Sequence, residues 1–393
     1  MNRKQLTLLI VLGAVLGGLG YVVYSKKQRG YERGTDGERG QKVLSGVPDS
    51  AIRDVAQITL KQGASDVNLT VANGGWTVKE RGGYPANFNN ISELVKKLWD
   101  LKVTRAVEVG PSRLPVLKLT KADGTLVELK DDKGKSIAAL TLGAQQTAKA
   151  AQEESPMGGG SFPSSRYVMR GDDLKTVALV NDPLNIETAP ENWLNKDFFK
   201  VERVKSVAVV TPNATNNWKL VRETDGAEWK FAATNATEIL DGSKTGALNN
   251  LLGSASFNDV IADPKPETTG FDKPVIATVE TLEGFTYVIK IGKAIGDAEG
   301  GNHAFQFSVS ANLLKDRTPG KDEKPEDKKT LDDAFRAQQK PLQEKLAAEK
   351  KFENWTYTVP KWNLETLLKE RKDFLVEKKE EAKKDEAKPP GAP

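Results

Sequence analysis

Apolar residues are distributed in three different ways along the chain. Residues 6–24, LTLLIVLGAVLGGLGYVVY, form an uncharged apolar run of 19 residues. A helix of about 20 such residues crosses the hydrocarbon core of a bilayer. Between residues 51 and 310 the apolar positions alternate in short strand-like stretches, as in VAQITL (55–60) and VKSVAV (204–209). One amphipathic helix interrupts them. Ile91, Leu94, Val95, Leu98 and Leu101 have the spacing of a single apolar helix face. Beyond residue 310 apolar positions thin out and charges dominate.

The strand-like region repeats itself. VAQITL is answered by VKSVAV, and GGWTV (74–78) by GAEWKF (226–231). The helix predicted over 91–101 is answered by a shorter one over 244–255. A hairpin is expected from 117–119 to 126–129, turned at Ala122-Asp123-Gly124, and its counterpart from 277–280 to 286–289, turned at Glu283-Gly284. The following strands end on Gly143 and Gly292, YVMR (167–170) matches FQFS (305–308), and NIET leading to KDFF (185–199) matches NLET leading to KDFL (363–375). The shared order implies two copies of one unit. Trp76 and Trp229 occupy equivalent places, which assigns them to the cores of the two copies.

The copies differ in their insertions. The first carries a Gly-rich polar loop over 145–164. The second carries a charged insert over 310–354 at the tip of a strand pair, with a helix-compatible stretch at 331–350 that Pro341 should break. Such an excursion is expected to project outward. Its candidate partner-binding residues are Lys315, Arg317, Lys321, Leu331, Phe335, Leu342 and Leu346. The competing expectation is a solvated surface loop.

Composition narrows the chemistry. The chain has 393 residues, no Cys and one His, and its formal net charge is +4. Lack of Cys removes disulfides, thiolate metal sites and Cys nucleophiles. A single His leaves multi-His metal sites out and makes a His-dependent triad depend on His303 alone. Residues 1–50 hold 8 basic and 4 acidic side chains, so the whole excess lies beside the apolar run. The rest is neutral overall, with no basic cluster of the kind nucleic-acid binding needs.

Candidate catalytic motifs fail on spacing. GKS at 134–136 ends like a P-loop, but position 129 is Leu where Gly is required, and a strand follows instead of a helix. His303 follows Gly300-Gly301-Asn302 and is expected as an exposed loop residue. The pairs Asp131-Asp132 and Asp172-Asp173 lie at turns and lack calcium-loop spacing. No catalytic, cofactor-binding or metal-binding residue is expected.

The apolar run is flanked by Arg3 and Lys4 on one side and Lys26, Lys27 and Arg29 on the other, with Tyr21 and Tyr24 at interfacial positions. It lacks a small-residue cleavage site, which favours an uncleaved signal anchor over a signal peptide. Gly13, Gly17 and Gly18 place small residues one turn apart, as helix–helix packing in lipid requires. Flanking charge alone favours a cytoplasmic bulk. Long domains translocate largely regardless of charge, and export is the expectation.

The anchor, GGWTV, Tyr84-Pro85-Ala86, the 91–101 helix, Leu142-Gly143 and Arg166-Tyr167-Val168 together resemble the bacterial family numbered domain of unknown function four-three-four-zero. The resemblance covers most of 1–200 and, more weakly, 201–376. That family has no established activity, and no catalytic residues carry over. Its members are often encoded beside gliding-motility-type ABC transporter permeases and their auxiliary subunits. This implies a membrane-anchored accessory role.

The expected fold is α+β: one membrane helix, then two tandem repeats of a mainly antiparallel sheet with helices on a face. The expected divisions are a short cytoplasmic tail (1–5), the anchor (6–24), a linker (25–50), repeats at 51–202 and 203–376, and a disordered charged tail (377–393). The expected function is a non-catalytic accessory or binding protein of the bacterial inner membrane, extracytoplasmic in bulk. Its expected contacts are lipid through residues 6–24 and a membrane or envelope protein, with an ABC permease and auxiliary subunits foremost; nucleic acid is not among them. The alternatives are an envelope scaffold and, less favoured, an envelope hydrolase or carbohydrate-binding enzyme.

Overall fold

A computed structural model describes residues 17–18, 21, 32–35, 38–147, 163–233, 238–296, 301–318, 324 and 327–377. The anchor at 6–24 lies outside these residues except for Gly17, Gly18 and Tyr21, which are helical and exposed. Among the described residues, no helix is long and apolar enough to cross a membrane. The chain divides into two compact units, Met1–Asn195 and Lys196–Pro393.

The strands of the first unit are β1 (Glu32–Thr35), β2 (Gln57–Gln62), β3 (Ser65–Ala72), β4 (Gly75–Val78), β5 (Tyr84–Pro85), β6 (Val103–Val109), β7 (Thr125–Lys130), β8 (Ser136–Thr147), β9 (Pro163–Arg170) and β10 (Ala178–Val180). They form one sheet in the order β1-β6-β10-β9-β8-β7-β2-β3-β4-β5. Strict alternation sends Ile58, Leu60, Val67, Leu69, Val127 and Leu129 to a buried face. The long helix among its described residues, α1 (Phe88–Asp100), starts where the Asn87 side chain accepts from the backbone N–H groups of Asn89 and Asn90. Ile91, Leu94 and Leu98 are buried, each worth about 1.5–3 kcal/mol of apolar transfer. The helix entry is tied down by the Asn87 N–H donating to Trp193 O at 2.7 Å.

The second unit contains β11 (Val204–Val210), β12 (Trp218–Val221), β13 (Lys230–Phe231), β14 (Asp259–Ile261), β15 (Val275–Thr281), β16 (Phe285–Ile295), β17 (Asn302–Ala311) and β18 (Thr356–Pro360). Their order is β13-β12-β11-β15-β16-β17-β18-β14. Read backwards, this is the order of the first sheet without its edge strands β1 and β5. β14, β18, β17, β16, β15, β11, β12 and β13 stand where β6, β10, β9, β8, β7, β2, β3 and β4 stand. All described pairings in both sheets are antiparallel.

Several expectations change. The units divide after Asn195, earlier than the 202/203 boundary read from sequence. Asn195 N–H donates to Pro85 O in the first unit, whereas Val201 N–H donates to Leu252 O in the second. Residues 117–119 are turn and irregular chain, not a strand, and β7 pairs with β8 instead. Leu117 and Leu119 are buried nevertheless, packed with Val107, Val109, Tyr167 and Met169. The counterpart of α1 is a 3-10 helix, Gly242–Asn250, capped by Asp241. Its sequence, GSKTGALNN, holds two Gly and two Asn, which α-helix disfavours. Gly143 and Gly292 lie inside β8 and β16, where each sheet changes register, and do not close the strands.

The charged insert contains α2 (Lys328–Glu349), which continues through Pro341. Pro341 has no N–H for the carbonyl of Ala337, but both residues lie on the exposed side, where water takes that role. Of the polar first-copy loop, 148–162 lies outside the described residues, as does 378–393 of the tail.

Candidate functional site

Two features stand out, one in each unit. In the first, β8 steps out of register with β9 between Leu142 and Gln145. Gly143 sits in this step because a Cβ there would collide with Leu117 O and with Leu119 Cδ2 at 2.8 Å. The Gly143 carbonyl accepts from Arg166 Nε at 2.9 Å, and Arg166 Nη1 donates to Leu184 O at 2.5 Å. Leu184 holds a left-handed φ of 45°, steadied by its N–H donating to Asp182 Oδ1 at 2.7 Å. Beside it, Gln145 Nε2 donates to Pro183 O and to Asn185 Oδ1. Gly143, Gln145, Arg166 and Asn185 line an open polar cavity of about 670 Å³ that also includes Gln62, Lys118, Asp123 and Glu187. Burial lowers the Arg166 pKa from its ordinary value. The group is still a cation at neutral pH.

The second unit repeats the step with different chemistry. β16 changes register against β17 between Ile291 and Ala294. A Cβ on Gly292 would collide with Thr269 O. His303 stands where Arg166 stands, and its Nδ1 lies 3.0 Å from Gly292 O. This corrects the expectation of an exposed loop His: the residue is half-buried within β17.

The other feature is the seat of α2. Glu349 is buried; its Oε1 accepts the Lys200 N–H at 3.0 Å and its Oε2 the Tyr287 hydroxyl at 2.8 Å. One turn earlier, Lys345 donates to Glu202 at 2.6 Å and lies 5.3 Å from the Phe285 ring centre. Burial raises the Glu349 pKa above the usual carboxylate value. Burial, then the facing Glu349 carboxylate, also raises that of Tyr287. The hydrogen bond from Lys345 instead lowers that of Glu202. The C-terminal end of α2 is therefore fastened to its own unit, contrary to a free projection.

The predicted partner-binding residues separate accordingly. Phe335, Leu342 and Leu346 are half-buried and share the helix stripe of Glu349; Leu331 lies on the same stripe near the start of α2 but is 43% exposed. Arg317 is tied to Asp332 at 2.6 Å, Lys315 is exposed, and Lys321 lies outside the described residues, as does Gly13. Trp229 is buried, donates to Asn249 Oδ1 at 2.9 Å and faces the Arg222 guanidinium. Trp76 is only half-buried, on β4 beside the edge strand β5. The acidic pairs serve turns: Asp131 Oδ1 accepts from the N–H groups of Lys133 and Lys135, and Asp173 Oδ1 from that of Lys175.

Sequence reasoning missed Glu349, Tyr287 and Lys345 as a group. A signal existed in the 7-4-3 spacing of Phe335, Leu342, Leu346 and Glu349, which puts the Glu on the apolar stripe. Arg166 was noticed only within a motif.

A family model described as Domain of unknown function (DUF4340) matches residues 76–274, half of the chain. The chain belongs to this family. The stretch matched to the DUF4340 family runs from Trp76 to Pro274, so it contains Gly143 and Arg166 and leaves Tyr287, His303 and α2 outside. No curated protein and no solved structure matches the chain.

Proposed function

We propose that this member of the DUF4340 family is a non-catalytic accessory protein. It is held at a bacterial inner membrane by residues 6–24 and binds a membrane or envelope protein through its extracytoplasmic units. The observation that supports this reading best is the way α2 is held. Its inner stripe is spent on its own unit through Glu349 and Lys345, while Arg336, Lys340 and Glu344 stay on the exposed side. A helix fixed at one end presents an outer face with little ordering cost on binding. The expected partner is a permease or auxiliary subunit of an ABC-type transport or gliding-related complex, and membrane anchoring raises its local concentration.

The test is cross-linking of the full chain in its native membrane, followed by identification of the captured proteins. The triple variant R336E/K340E/E344K leaves the Glu349 seat intact and should lose the captured partner. Unchanged capture by this variant would overturn the assignment to α2. Recovery of cell-wall or outer-envelope components alone would favour the scaffold alternative.

A further inference from the structure

We infer that the first unit carries a binding site for a small carboxylate that also bears an amino group, anchored by the Arg166 guanidinium. Four observations lead there. The guanidinium is half-buried, and no carboxylate of the described residues pairs with it. Four other arginines of low exposure do have one: Arg81 faces Glu191, Arg222 faces Asp225, Arg317 faces Asp332 and Arg371 faces Glu238, with side chains at most 20% exposed. Taking a cation out of water is costly unless an anion compensates it. A site left without one in the free protein suits an anion that arrives with a ligand.

The second observation is orientation. Bonds to Gly143 O and Leu184 O use Nε and Nη1 and fix the guanidinium plane. Donors remain for a carboxylate, which the fork of an arginine recognises well. Thirdly, there is room: the cavity of about 670 Å³ is lined by the polar side chains of Gln62, Thr125, Gln145 and Asn185. Polar groups converging on one charged anchor are the usual makeup of a small-molecule site.

The fourth observation selects the ligand. Lys118 adds a second cation to the cavity lining, but Asp123 and Glu187 add two carboxylates. A doubly charged phosphate would meet both acids, whereas a monoanion carrying an ammonium group finds partners of each sign. Burial without electrostatic compensation also lowers the pKa of Arg166, in keeping with a missing counter-ion. In the second unit the equivalent His303 makes the same carbonyl contact, at Gly292, without a guanidinium. The site is therefore particular to the first unit and independent of α2.

The experiment is calorimetric titration of the full chain with glycine, acetate and inorganic phosphate at constant ionic strength. Saturable binding is expected in the order glycine, acetate, phosphate. Arg166→His copies the second unit and keeps a ring nitrogen for Gly143 O. It should weaken glycine at least about tenfold, the scale of one charge-assisted contact, while its melting transition stays cooperative. If that variant fails to fold, Thr147→Glu decides. Thr147 is an exposed residue on the cavity lining, away from the two carbonyl bonds, and a carboxylate there should compete with the ligand for Arg166. Absence of saturable glycine binding, equal binding by the folded variants, or tighter binding of phosphate than glycine would each overturn the inference.

Discussion

The two units share a strand order and spend it differently. Both bend one long strand at a glycine, Gly143 or Gly292, under a crossing segment of chain. Both direct a basic or ring nitrogen from the next strand to that glycine's carbonyl. The first unit then adds a capped amphipathic helix and opens a cavity beside Arg166. The second has a 3-10 turn in place of that helix and instead lengthens the β17–β18 connection into α2. The lesson is that the bent strand pair is the common frame, and that the connections carry the differences.

The comparison breaks most sharply at the helices. Leu98 and Leu248 are both 0% exposed. Leu98→Ala and Leu248→Ala should each cost about 3 kcal/mol of unfolding free energy in denaturant titrations. A much smaller loss for Leu248 would mean that the 3-10 turn collapses into the cavity and is a looser element than α1.

At the shared glycines, Gly143→Ala and Gly292→Ala should each cost about 2 kcal/mol, since a Cβ must displace a backbone carbonyl. Near-neutral results at one position alone would show that the two crossings are not equivalent.

The seat of α2 sharpens the contrast through pH. Glu349→Ala should cost about 1–2 kcal/mol by leaving the Lys200 N–H and the Tyr287 hydroxyl without their acceptor. The folded Glu349 binds its proton more tightly than the unfolded one, because burial raises its pKa. Its contribution is thus full below the unfolded value and is lost as pH rises through the folded one. Glu202, lowered by Lys345, acts in the opposite sense and loses its contribution as pH falls. Glu349→Gln removes only the first effect. Relative to wild type it should gain stability as pH rises from about 4 toward neutrality, measured as the difference between two denaturation series. A constant difference would place the Glu349 proton elsewhere.

Arg166→His should cost about 1 kcal/mol in the absence of ligand, the net worth of the lost Leu184 bond. The smallest effect belongs to Asp172→Ala, which removes the exposed pair with Lys121 and should change stability by less than about 0.5 kcal/mol.

Much of the frame was legible from residue pattern. Alternation located β2, β11, β15 and β17, and the 3.6 period located α1, because those signals are local and each element buries one face. The recurrence of landmarks in order indicates two units from the residue pattern alone. The turn roles of Asp131 and Asp173 were equally local. The failures are non-local. Leu117 and Leu119 look like a strand, yet their backbone serves a crossing: Ala144 N–H donates to Leu117 O at 2.7 Å. Pro341 looks like a helix break, and the exposed side of α2 absorbs it. His303 looks like a loop residue, yet β17 begins at Asn302.

The amino-acid sequence by itself determined the α+β class, the apolar run at 6–24, the charged insert and the absence of Cys. These follow from composition and from periods that each element expresses alone. Tertiary structure decided what the sequence could only hint at. It matched the two strand orders, placed Gly143 under Leu117, left Arg166 without a carboxylate beside a polar cavity, and seated Glu349 against Tyr287 and Lys200. Such features depend on residues between 18 and 149 positions apart being brought within hydrogen-bond reach, as in Arg166 with Leu184 and Lys200 with Glu349. No local pattern records those pairings, because they are set by how the connections cross the sheet and by which groups burial deprives of water.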